Sequence, residues 1–150
     1  MRFVADVMLG RLAKWLRVLG FDTRYQPFDP AGPIGQMARE GRIPLTRQRK
    51  LIPSLKGAVF VRHNAVGNQL GQLKEVLSLE TCHAQWFSRC IRCNVPLTVA
   101  PEEDARDNTP EYIYYENMKS IRFCPGCGRY FWPGSHRTRM EKQLNGWGFL

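Results

Sequence analysis

Two cysteine turns carry the most specific chemistry in this chain. Cys90-Ile91-Arg92-Cys93 is followed, after 30 intervening residues, by Cys124-Pro125-Gly126-Cys127-Gly128. Two C-x-x-C turns on either side of a hairpin-length insert can place four thiolates at the corners of a tetrahedron. That geometry suits Zn2+, which has no d-electron preference and binds sulfur at about 2.3 Å. Gly126 and Gly128 permit the tight backbone that points amide N–H groups at the sulfurs. A single C-x-x-C could be a redox pair, whereas two at this spacing read as a structural zinc site. Four thiolates fill the coordination shell and leave no position for water, so such a metal would hold the fold and take no part in catalysis. Cys82, beside His83, is left over and is expected as a buried thiol.

The second set of candidates is ionic. Asp6 ends the apolar run Phe3-Val4-Ala5, and Arg11, Lys14 and Arg17 follow it at helical spacing. Arg47-Gln48-Arg49-Lys50 forms a dense basic knot, and Arg62-His63-Asn64 is a further polar group. The net charge is +9, from 22 Lys/Arg against 13 Asp/Glu, and residues 1–80 hold 13 of those bases against 6 acids. A basic surface concentrated in this way points to nucleic acid, bound through phosphate contacts and counterion release. The competing reading for any one basic stripe is a solvated helix face. Tyr112, Tyr114, Tyr115, Tyr130, Phe131 and Trp132 could stack on unpaired bases or fill the thin core of a small metal-bound module.

These groups need a scaffold, and the length and composition set its scale. A chain of 150 residues that is 43% hydrophobic and 23% charged can fold as one ordinary domain, or as a compact domain plus a metal-stapled module. No window approaches the ~18 apolar residues of a membrane span. The charges at Arg2 and Asp6 come too early for a secretory signal. A cytoplasmic location is therefore expected, where thiols stay reduced and available to zinc.

Phe3-Val4-Ala5 reads as a buried strand. A helix from about Met8 to Leu19 follows, with Leu9, Leu12, Ala13, Leu16 and Leu19 on one face and Arg11, Lys14 and Arg17 on the other. Gly20 is the expected left-handed stop. Phe21–Tyr25 and Arg42–Thr46 read as strands, the latter at an edge or a bulge because Pro44 lacks a ladder donor. Ala58–Val61 is a fourth strand. Residues 68–79 return to helical period with Leu70, Leu73, Val76 and Leu77 as the apolar face. Strands alternating with helices imply a small, mostly parallel α/β sheet whose ligands bind at the C-terminal strand ends. Asp6 and Thr46-Arg47-Gln48 both fall at such ends. The expected organisation is an α/β domain over 1–85 and a cysteine-stapled module over 86–150. The module's insert carries an acidic loop, Glu102-Glu103-Asp104, and a strand-like Tyr112-Ile113-Tyr114-Tyr115. Its tail, Arg137 to Leu144, reads as a basic helix.

Four runs together resemble a known family. They are Asp6 through Thr23, Gly41-Arg42-Ile43-Pro44-Leu45-Thr46-Arg47, Phe87-Ser88-Arg89-Cys90 with Cys93, and Cys124-Pro125 through Trp132-Pro133-Gly134-Ser135-His136. The resemblance is to the Mut-seven C-terminal RNase domains, and it covers nearly the whole chain. It implies a PIN-like nuclease fold joined to a zinc ribbon, and cleavage of RNA at clustered carboxylates that hold Mg2+ or Mn2+. A cation so held activates a water and neutralises charge at phosphorus. Asp6 matches the family's first-strand acid. Asp29, followed by Pro30, stands where the family has paired acids, and Asp22 is a further candidate. Where the family reads Thr-Arg-Asp, this chain reads Thr46-Arg47-Gln48, so one metal-holding charge is missing. Three functions follow as expectations. The first is an RNA-binding protein with weakened or lost nuclease activity, its contacts being Arg11, Lys14, Arg17, Arg47, Arg49 and Lys50. The second is an active endoribonuclease using Asp6, Asp29 and Asp22. The third is a zinc-ribbon module that docks on a protein. Ribosomal or transfer RNA would suit the first two as well as a free transcript.

Overall fold

A computed structural model describes residues 1–27 and 31–149. The chain forms two compact units, Met1–Asn94 and Val95–Leu150.

In the first unit, Arg2–Asp6 (β1) leads through a 3-10 turn, Val7–Leu9, into the helix Gly10–Val18 (α1). Asp22–Gln26 (β2), the helix Pro33–Arg39 (α2), Ile43–Thr46 (β3), Val59–Phe60 (β4) and the helix Val66–Leu77 (α3) follow. The strands form one parallel sheet in the order β2-β1-β3-β4. The chain therefore adds β2 on one side of β1 and then returns to add β3 on the other. In open α/β sheets that reversal opens a crevice at the carboxyl ends of the two strands, which is where ligands bind.

Burial explains why β1 is the central strand. Phe3, Val4 and Ala5 are fully enclosed, and Leu9, Leu12, Leu16 and Leu19 bury the inner face of α1. Each leucine so buried contributes about 1.5–3 kcal/mol. The helix ends as its glycine predicts. The Gly20 N–H donates to the Arg17 carbonyl and the Phe21 N–H to the Leu16 carbonyl, with Gly20 at φ +94°. A side chain there would also meet the Gln85 carbonyl at 2.6 Å, so two separate constraints require glycine.

Three expectations for this unit are corrected. β3 is an interior strand, not an edge. Its ladder to β4 begins only at Leu45, so the level of Pro44 is paired with β1 alone and the missing donor is tolerated. Val76, placed on the apolar face of α3 by its spacing, is exposed; Gln69 and Gln72 are buried instead. Gln72 is held by specific bonds, donating to the Phe60 carbonyl and accepting from the Arg62 amide. Cys82 is exposed, not a buried thiol.

The second unit contains the antiparallel strands Thr98–Val99 (β5), Arg122–Phe123 (β6) and Tyr130–Phe131 (β7). Between β5 and β6 lie the helices Glu102–Asn108 (α4) and Glu111–Asn117 (α5), and the chain closes with the helix Ser135–Gly146 (α6). The acidic loop and the tyrosine strand of the insert are thus both helical. Pro101 and Pro110 precede the two helices, and the acids of their first turns face the positive end of the helix dipole. Ile113 and Tyr114 turn inward, and Tyr114 packs with Ala100, Ala105 and Ile121. The tail is helical, as its composition suggests.

Candidate nucleic-acid interface and metal centre

Asp6 lies at the end of β1, at the crevice where the strand order reverses. It is fully buried and its oxygens are occupied by donors. Oδ1 accepts from the Met8 amide at 3.1 Å, which makes Asp6 the cap of the 3-10 turn that starts α1. Oδ2 accepts from the Thr46 hydroxyl at 3.0 Å and from Gln48 Nε2 at 3.3 Å. Thr46 Oγ1 in turn accepts the Gln48 amide N–H at 3.0 Å. Parallel pairing of β1 with β3 is what brings these groups together across 40 residues of sequence. Asp6 and the side chain after Thr46-Arg47 therefore meet as the resemblance implies, but as a carboxylate and an amide.

Basic and apolar groups surround this crevice. Arg11 is exposed and Lys14 half-exposed on α1. Arg47 is half-buried, and its Nη1 donates to the His63 carbonyl at 2.8 Å. The exposed Arg49 lies over the Phe60 ring at 4.8 Å, and Lys50 beside it is exposed. Both contacts leave the charges at the ends of β3 and β4. Val7, Met8 and Tyr25 are exposed at the same ends of β1 and β2. The Tyr25 hydroxyl donates to the Val7 carbonyl, which fixes the ring beside Gly10. By sequence Tyr25 reads only as a strand residue. Its place at the carboxyl end of a strand follows from the register of β2 with β1.

Two of the sequence-derived candidates lie elsewhere. Asp22 starts β2, in register with Arg2, while Asp6 is in register with Gln26. Four residues of parallel strand separate their levels, about 13 Å, so Asp22 and Asp6 do not share a site. Asp22 is instead bound by Arg42, whose Nη1 and Nη2 donate to its two oxygens at 2.8 and 2.9 Å, and by Asn94 Nδ2 at 2.6 Å. The Arg42 bonds hold its carboxyl down at about 2, with Asn94 adding to the effect and partial burial opposing it. Arg17 lies at the far end of α1 from Asp6 and is only 9% exposed. Its Nε donates to the Thr23 carbonyl at 2.9 Å, and Nη1 to the carbonyls of Ile91 and Arg92 at 3.0 and 2.9 Å. Asp29 falls outside the described residues.

Arg17 and Asp22 therefore position the first cysteine turn. Asn94, just past Cys93, has φ +66° and accepts the Thr23 amide at 2.8 Å, while Arg89 donates to the carbonyls of Gly20 and Asn94. The Cys93 amide points at Cys90 Sγ, 3.4 Å away. In the second turn the Gly128 amide donates to the Cys124 carbonyl and Gly128 takes φ +73°. The ligand atoms of Cys90, Cys93, Cys124 and Cys127 all lie within 4.8 Å of one another. A tetrahedron with 2.3 Å metal–sulfur bonds has edges of about 3.8 Å, so the four thiolates fit a zinc ion with little movement. Among the described residues, no second group of three or more His, Cys, Asp or Glu side chains gathers in this way.

Among the described residues, no helix is long and apolar enough to cross a membrane. No curated protein and no solved structure matches the chain. A family model does: it matches residues 1–144 as a Mut7-C RNAse domain, and the chain belongs to that family.

Proposed function

We propose that this protein binds RNA at the carboxyl ends of its parallel strands, with weakened or lost nuclease activity. The observation that carries the reading is the Gln48 amide on Asp6. A nuclease cation needs carboxylate oxygens turned toward it. Here a neutral amide donates to the Asp6 oxygen, and the Thr46 hydroxyl and Met8 amide take the rest. Arg11, Lys14, Arg47, Arg49 and Lys50 supply phosphate contacts around it, and the exposed Tyr25 offers a ring on which a base can stack. Zinc is the metal that suits the four cysteines, and its role is structural. In function the chain divides into the α/β part, 1–85, and the ribbon, 86–150, because both cysteine turns serve one ion.

The experiment is to incubate the zinc-loaded protein with labelled single-stranded RNA and millimolar Mg2+ or Mn2+. Salt-dependent binding without cleavage is expected. Robust cleavage that disappears in Asp6→Asn would overturn the reading. Family membership favours the alternative, an Mg2+- or Mn2+-dependent endoribonuclease using Asp6 and Asp29, and that result would establish it. The natural RNA, ribosomal and transfer RNA included, can be identified by crosslinking in cells.

A further inference from the structure

The helix α5 has two apolar faces and buries only one. Ile113 and Tyr114 turn inward, and Tyr114 is 3% exposed. Tyr112 and Tyr115, three residues apart and so on one side of the helix, are 65% and 62% exposed, and Met118, just past the helix end at φ +21°, is 51% exposed. Bared tyrosine and methionine are the residue types that anchor protein interfaces. The Tyr115 ring sits edge-on to the buried Tyr114 ring at 5.2 Å, which holds it in place.

The charge around these residues is opposite to that of the rest of the chain. Residues 102–119 carry six carboxylates and two bases, Arg106 and Lys119. Arg106 is engaged within the unit, 3.9 Å from Glu102 and 5.5 Å from the Tyr114 ring. Residues 1–94, by comparison, hold 15 Lys/Arg against 6 Asp/Glu. A nucleic acid stacking a base on Tyr112 or Tyr115 would bring its phosphates among the exposed carboxylates of α4 and α5, where they are repelled. The same carboxylates attract a cationic chain.

We propose that the Tyr112 and Tyr115 face of α5, with the exposed carboxylates of α4 and α5, docks a basic segment of a partner protein, one in which Lys and Arg alternate with apolar residues. The apolar residues cover the two rings, and the bases pair with Glu103, Asp104, Glu111 and Glu116. This surface is separate from the RNA reading and does not depend on it.

The test titrates the full-length, zinc-loaded protein with a fluorescein-labelled 16-residue peptide of repeating Arg-Leu-Lys-Leu. Two variants are compared, Tyr112→Ser with Tyr115→Ser, and Glu103→Gln, Asp104→Asn, Glu111→Gln and Glu116→Gln together. All these side chains are exposed, but Glu103, Asp104 and Glu111 also stabilise the first turns of α4 and α5, so zinc content and helicity are checked in both variants, and the tyrosine variant, which keeps every acid, should match the parent. Binding at least tenfold weaker in both variants, with labelled oligouridine 20-mer binding the parent and the tyrosine variant equally in the absence of peptide, is the expected result. Unchanged peptide affinity in the tyrosine variant would show nonspecific charge attraction and overturn the proposal. So would oligouridine binding that the tyrosine variant loses, which would assign the face to RNA. A parent that sediments as a dimer which the tyrosine variant dissolves would assign it to a second copy of the chain and overturn the proposal equally.

Discussion

Replacing Asp22 by asparagine separates a structural carboxylate from a catalytic one. Asp22 accepts two bonds from Arg42 and one from Asn94, and its carboxyl lies at about 2 against an ordinary 3.8. At 1.36 kcal/mol per unit, that depression corresponds to roughly 2 kcal/mol favouring the folded state. The Asp22 side chain is 22% exposed and that of Arg42 9%, so solvent screening removes only part of it. A loss of about 2 kcal/mol is expected for Asp22→Asn. Because the folded value lies below the unfolded one, this stabilisation is fully present above pH 3.8 and is lost as pH falls through about 2. Protonation of the cysteine thiolates releases metal before that window is reached, so the measurement belongs at pH 7. Urea unfolding of zinc-loaded parent and variant, followed by tryptophan fluorescence, should show a lower midpoint at constant slope. Arg42→Met should cost more, because its guanidinium also donates to the Phe3 and Asp22 carbonyls, and the double variant should cost less than the sum of the two single changes, since they share the carboxylate–guanidinium pair. A loss below about 0.5 kcal/mol, or selective loss of Mn2+ binding with stability intact, would refute the assignment and return Asp22 to an acidic site.

Gln48→Asp places a second carboxylate beside the buried Asp6. It should lower stability by about 1–3 kcal/mol without divalent metal through like-charge repulsion, and millimolar Mn2+ should restore the melting temperature. A variant indifferent to Mn2+ would show that the crevice cannot hold a cation. Arg11→Ala, Arg49→Ala and Lys50→Ala together should flatten the salt dependence of single-stranded RNA binding by about 2 in log–log slope, at roughly 0.7 per phosphate contact. Arg17→Ala should leave that slope alone and lower the urea midpoint instead, because its guanidinium binds three backbone carbonyls. Gly20→Ala should cost about 2 kcal/mol or more through its positive φ and its collision with the Gln85 carbonyl. A normal midpoint would mean that the turn can relax. Cys124→Ser should release the metal, measurable as zinc per chain, and make residues 95–150 sensitive to protease.

Local pattern sufficed wherever a single element carried the information. The apolar spacing of α1, its glycine stop and the strand-rich runs through Phe60 all lie within a few residues of one another, and each forms as its pattern suggests. The pattern misled where one face of an element met an unexpected neighbour. Tyr112-Ile113-Tyr114-Tyr115 has strand-like composition, yet Pro110 and Glu111 start a helix and leave two of its aromatics in solvent. Pro44 signalled an edge, but a short β4 that begins one residue later accommodates it inside the sheet.

The sequence by itself determined the metal centre and the family, because cysteine spacing and motif order are properties of the chain read along its length. It also put Gln48 where the resemblance implies a carboxylate. Only the tertiary structure decided what the remaining charges do. Arg17 and Lys14 stand three residues apart on one helix, and one binds carbonyls more than 70 residues away while the other reaches solvent. Asp6 and Asp22 look equivalent in sequence, but parallel register puts them at opposite ends of adjacent strands. Burial and hydrogen-bond partners are set by contacts between distant segments, and no spacing rule along the chain encodes them.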